Sequence, residues 1–199
     1  MSEAVPTSVS IAGEEQGART RSLIVGSRLM LAANTTLQLT FLFAYLYLRA
    51  NNFGGMWRPG GVGTPAPAIS AMVLAVPVVT ALLLSAAVRV AGGAQRAQFT
   101  RIMGFAILLG LATVAVRVYQ LYHTGWGLDK GTYVDISVIW LAVILAEYVI
   151  GALWIIAMYN GHVRRTVPET QVQVRVLFEY WLYVTVVAFA VFALIQFVT

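Results

Sequence analysis

The sequence predicts an all-α integral membrane bundle of five transmembrane helices with its amino terminus in the cytoplasm. Three observations point there. The 199 residues are 59% hydrophobic and 11% charged, with a mean hydropathy of +0.78, a balance outside that of a soluble domain. The apolar residues gather in five runs, each near or above the ~20 residues that a helix needs to cross the hydrocarbon core. The thirteen Lys and Arg residues stand almost wholly at the ends of those runs, where they orient a span.

Residues 1–22 are polar, with Glu14, Glu15, Arg19 and Arg21 and no apolar core. A secretory signal needs such a core, so this stretch reads as an unprocessed, mobile cytoplasmic tail. Residues 23–199 form one transmembrane domain, with spans at about 23–48, 68–91, 102–122, 136–159 and 176–198. The first span stops at Arg49 and a Gly/Pro/Trp loop over 51–67, as spans do at an interface. The second carries Pro77, whose missing N–H and ring clash predict a kink. Small residues four apart, Ala106 with Gly110 and Ala142 with Ala146, offer close-packing faces on the third and fourth spans.

Arg19, Arg21, Arg28, Arg89, Arg96, Arg101, Arg164, Arg165 and Arg175 fall on the side of the amino terminus, against Arg49, Arg58, Arg117 and Lys130 on the other. Nine against four places that side in the cytoplasm. The basic residues therefore serve membrane orientation, and no nucleic-acid face is expected. The sequence has no cysteine and two histidines, His123 and His162. These end different spans on opposite sides, so one chain cannot bring both to a single metal or haem. No phosphate-binding loop, no histidine pair on one helix and no Ser with a His base is present, so no catalytic residue and no metal or cofactor ligand is assigned.

Glu147 stands near the middle of the fourth span, where a carboxylate costs about 2.5 kcal/mol or more on insertion scales. It lies 12 residues from Tyr159, and Asn34 lies 11 from Leu23, so the two share a depth and Asn34, Thr35, Thr36 and Gln38 are its expected partners. Glu147 is either a proton or ion site or a neutral, hydrogen-bonded acid that locks two helices. A relay needs a chain of ionisable groups and only one stands at this depth, which favours the lock. Arg117, about five residues from the outer end of the third span, is expected to snorkel to the headgroups or meet Asp129 or Asp135. Arg175 and Glu179, four apart, read as an interfacial pair. Aromatic residues at the span ends, among them Tyr45, Trp57, Trp126, Tyr133, Tyr180 and Trp181, read as an interfacial belt. Arg28, Arg49, Trp57 and Arg58 are candidates for lipid or interface contact.

The first span and its loop contain Phe41-Leu42-Phe43-Ala44-Tyr45 through Arg49, then Gly54-Gly55-Met56-Trp57-Arg58-Pro59. The second span has Pro77, Thr80, Leu82 to Leu84 and Ser85; the third ends Tyr119-Gln120-Leu121-Tyr122-His123-Thr124-Gly125, followed by Tyr133; the last has Tyr180-Trp181 and Val184. In order and spacing these resemble subunit III of the haem–copper (cytochrome c) oxidases, in its five-helix bacterial short form, over about Met30 to Val198. Where that family has a buried Glu in the first span, this chain has Asn34 or, with one gap, Thr35. Its paired fourth-span histidines fall near Ala146 and Val149, and the His and Asp of its last-span motif fall at Leu182 and Thr185.

The resemblance implies a non-catalytic accessory subunit of a respiratory complex in the bacterial inner membrane. It implies haem and copper in a catalytic partner subunit, none in this chain, and phospholipid bound in a cleft between the first two and the last three helices. The family's mid-membrane contact between first and fourth spans is expected to persist with changed chemistry, through Asn34, Thr35, Gln38 and Glu147. Other readings are an accessory subunit of a different membrane oxidoreductase such as a nitric oxide reductase, a transient assembly factor, or a small carrier using Glu147.

Overall fold

The computed structural model describes residues 8–54, 57–60, 62, 67–92, 95–123, 125–127, 130–164 and 170–197. Among them are five helices and no strand: α1 (Ser8–Ala50), α2 (Pro67–Ala91), α3 (Arg96–His123), α4 (Thr132–Arg164) and α5 (Thr170–Phe197). All five are long and apolar enough to cross a bilayer. This is an all-α multi-pass membrane bundle, the only spanning arrangement besides a closed barrel that satisfies every backbone group in lipid.

α1, α3 and α4 outrun the apolar segments at both ends, and α5 at its start. In α1 the helix starts at Ser8, so residues 8–22 extend the first span as helix rather than stand as a separate tail. Its 43 residues make a rod of about 65 Å. α2 runs unbroken through Pro77. α4 begins where Gly131, at φ 108°, turns the chain and its carbonyl accepts from the N–H groups of Val134 and Asp135. Only a residue without a Cβ adopts that φ cheaply.

Four helices close a ring in which α2 touches α3, α3 touches α4, α4 touches α5 and α5 returns to α2, while α1 lies outside and, among the described residues, meets α4 and α5. The resemblance led us to expect a division into two helices and three; the packing divides the bundle into one and four. The ring is built around Trp181, which is fully buried. Its indole N–H donates to the carbonyl of Pro77 at 3.0 Å, joining α5 to α2. The ring itself lies against α4 so closely that a Cβ on Gly151 would come 2.9 Å from Trp181 Cε3, and one on Gly110 of α3 would come 3.5 Å from Cη2. Small residues thus let two backbones approach one large side chain, which is how helices associate where lipid is as apolar as the core.

Of the two small-residue pairs expected at helix contacts, Ala106 and Gly110 are buried, whereas Ala142 and Ala146 are exposed. The correction has a simple cause: α4 is apolar all round, so spacing alone does not say which stripe faces inward. Across the two sides, Tyr133 at the start of α4 donates to the Ile195 carbonyl near the end of α5 at 3.1 Å. On the amino-terminal side, Gly92 after α2 meets Gln171 of α5.

Candidate functional site: a polar clamp inside the membrane

α1 reaches the ring through a single stripe. Its buried or half-buried positions are Thr20, Ile24, Ser27, Leu31, Asn34, Gln38, Phe41, Leu42, Tyr45 and Leu48, a spacing of three and four that keeps one seam on a straight helix. Apart from Gly17, Ala44 and Arg49, the other α1 residues from 17 to 50 are exposed. At mid-membrane the seam residue is Gln38, 6% exposed.

The amide of Gln38 links two residues of α4. The indole N–H of Trp140 donates to Gln38 Oε1 at 2.6 Å, and Gln38 Nε2 donates to Glu147 Oε1 at 2.6 Å. The orientation follows from chemistry: an indole only donates, so the amide oxygen must face Trp140 and the amide nitrogen is left for the carboxyl. Trp140 and Glu147 are seven residues apart, two turns, and so share a face of α4. Asn34, one turn before Gln38, also lies beside the Glu147 carboxyl. The second carboxyl oxygen, Oε2, is buried and has no hydrogen-bond partner. From the other direction, Tyr180 of α5 donates its hydroxyl to the Glu147 carbonyl at 2.9 Å, bracing the same turn of α4.

The depth argument thus brings together Asn34, Gln38 and Glu147. It fails for Thr35 and Thr36. Both are exposed and return their hydroxyls to carbonyls of their own helix, Thr35 to Leu31 at 2.8 Å and Thr36 to Ala32 at 3.1 Å. Steps of about 100° per residue swing them off the seam. Trp140 was not foreseen as a partner, although its position two turns before Glu147 was a signal to hand.

Arg117 differs from expectation more sharply. It is 1% exposed and lies between α3 and α4, its guanidinium 5.8 Å from the centre of the Tyr148 ring. Nη1 donates to Gln120 Oε1 at 3.0 Å, while Nε and Nη2 have no partner. The reason is helix direction: side chains lean toward the amino-terminal end of their own helix. In α3 that end lies on the amino-terminal side, so Arg117 reaches back into the bundle rather than out to the headgroups. Of its expected acidic partners, Asp129 lies outside the described residues. Asp135 forms no ion pair with it, and its Oδ1 is buried and unpartnered.

The aromatic belt divides in two. Tyr45, Trp126, Tyr133, Tyr180 and Trp181 are buried, whereas Tyr47 and Tyr122 face outward. The buried rings of the loop side pack edge to face, Tyr45 on Trp57 at 5.5 Å, Trp57 on Tyr133 at 5.8 Å and Trp126 on Tyr133 at 6.0 Å. They pin the two loops and the end of α1 onto α4, and such geometry suits the ring quadrupoles.

Among the interface candidates, Arg28 is exposed on α1 and Arg49 is half-buried at its end. Arg58 donates to the Val62 carbonyl at 3.0 Å within its loop. Arg175 and Glu179 form the expected exposed pair at 3.0 Å. Among the described residues no group of three or more His, Asp or Glu could hold a metal ion.

Between α1 and the ring runs a cleft of about 690 Å³ on the amino-terminal side, lined by Arg19, Ser22, Gly26 and Ser27 of α1, Trp154 of α4 and Val176 of α5, among others. A second cavity of about 310 Å³ lies toward the loop side between α1 and α5, with Leu39, Leu42, Tyr183 and Val187 in its wall. Compared with protein-family models and with curated proteins, the sequence matches none of them.

Proposed function

We propose that this chain is a non-catalytic accessory subunit of a haem–copper oxidase complex in a bacterial inner membrane. In this reading it packs on a catalytic subunit that carries the haem and copper, and holds phospholipid. The observation that carries it is the Gln38–Glu147 hydrogen bond, a polar link between first and fourth helices one turn from Asn34, where the resemblance puts the family's first-span Glu, and next to Ala146, near which it puts a fourth-span histidine. The carboxyl engages an amide on α1 and stands beside a second one there, which suits a lock between helices better than a site that loads and releases an ion. The lipid part rests on the cleft beside α1, whose apolar wall and Arg19 at one end match an acyl chain and a phosphate. That cleft lies between α1 and α4/α5.

The test is extraction of the native membrane in mild detergent with a tag on this chain, mass spectrometry of what co-purifies, and a visible absorption spectrum. Recovery in fixed ratio with a haem-bearing multi-span protein is expected. A chain recovered alone and without haem overturns the proposal and leaves a carrier using Glu147 as the reading to test.

A further inference from the structure

We infer that α1 is a lever, pinned to α4 in its loop-side half and free to swing in its amino-terminal half, so that the cleft beside it opens and closes. The two halves are held in different ways. In the loop-side half, Gln38 is bonded to both Trp140 and Glu147, Phe41 stacks on Trp140 at 6.0 Å, and Tyr45 packs against Trp57, Tyr133 and Trp140. Every one of these α4 contacts lies on one line, and on the α5 side the same half leaves a cavity. The pin is therefore a hinge line along α4 and not a two-sided clasp.

In the amino-terminal half, among the described residues, α1 rests on the ring through the seam residues Thr20, Ile24, Ser27 and Leu31 alone. Between residues 17 and 33 the hydrogen bonds of Arg21 and Ser27 return to α1's own carbonyls, and the large cleft stands between α1 and both α4 and α5. The α1 wall of that cleft sets the small Ala18, Ser22, Gly26 and Ser27 beside Arg19, Leu23 and Met30, and a Cβ on Gly26 would meet nothing within 4 Å. The small residues of that wall leave room for the helix to shift, and helices move as rigid bodies about a few fixed contacts. The inference concerns this chain alone and stands whichever complex it serves.

The sequence has no cysteine, so paired spin labels report cleanly on the full chain in lipid nanodiscs. One pair, Ser22→Cys with Gln173→Cys, spans the cleft; the other, Tyr47→Cys with Thr132→Cys, spans the pinned end. Pulsed electron–electron resonance is expected to give a distance distribution at least twice as broad for the cleft pair as for the pinned pair. Gly26→Trp, a wedge in the cleft, is expected to move the cleft pair to its longer distances and leave the pinned pair unchanged. Equal widths for the two pairs, or a wedge that moves both alike, overturns the lever.

Discussion

Trp181 and Gln38 hold the molecule together by opposite means. Around Trp181 the ring of α2 to α5 is joined by shape, because Gly151 and Gly110 bring two backbones onto one indole and Pro77 receives its N–H. At Gln38 the join is made by chemistry: α1 buries little against the ring, and two short hydrogen bonds through one amide stand where close packing is missing. The difference teaches that a helix with little buried surface can still be held in register in a membrane if its few polar groups meet partners. It also teaches that such a helix stays the more movable one, since hydrogen bonds inside bilayers contribute only about 0.6 kcal/mol on average and 1.7 at most in measured cycles.

Five substitutions sharpen that contrast, each read as reversible unfolding of the purified chain in mixed detergent micelles. The largest effect is expected at the shape-built join. Gly151→Val forces a side chain against Trp181, which its bond to Pro77 holds in place, and should destabilise the chain by about 3 kcal/mol, the upper part of the range for overpacking. A loss under 0.5 kcal/mol would mean that the ring is looser than its distances imply.

Next comes Arg117→Met, expected to stabilise by about 2 kcal/mol. It replaces a buried guanidinium whose Nε and Nη2 lack a hydrogen-bond partner by an apolar chain of similar length, and a buried donor left unsatisfied costs about 1–3 kcal/mol. A destabilisation of the same size would show that the charge is paired after all. At the clamp, Glu147→Leu leaves the Gln38 amide nitrogen without an acceptor and should cost about 1–2 kcal/mol. Glu147→Gln retains an oxygen to accept the bond and should stay within about 0.5 kcal/mol of the parent. Equal costs for the two would remove the hydrogen bond from the account. The smallest change is expected at Thr35→Val, within about 0.5 kcal/mol, since Thr35 is exposed and bonds only to Leu31 of its own helix.

Five spans were legible in the sequence because length and apolarity suffice to define a span, and the partners Asn34 and Gln38 of Glu147 were legible because depth is a count along a helix. What counting does not supply is rotation about the helix axis. In a soluble helix polarity marks the outward face; in α4 every face is apolar, so Ala142 and Ala146 looked as suited to a contact as Ala106 and Gly110 do. Thr35 was misplaced for the same reason, one residue off a seam that only the structure defines.

Arg117 was misread for a different one. Its depth was right, but the lean of a side chain toward its helix amino terminus sends the same residue type outward from one span and inward from the next. That rule was available from the order of the spans. The role of Gly151 was not, since nothing local announces that an indole from another helix will lie on it.

The claim on which the account turns is that α1 is registered on the ring by the Gln38–Glu147 bond, and a double-mutant cycle tests it most directly. Gln38→Leu, Glu147→Leu and the double variant would be unfolded under one set of conditions, with Gln38→Leu plus Gly151→Val as the distant control. The account predicts a coupling of about 1 kcal/mol between Gln38 and Glu147 and additivity within about 0.5 kcal/mol for the control. Coupling indistinguishable from zero between Gln38 and Glu147 would contradict it, and would return α1 to being held by packing alone.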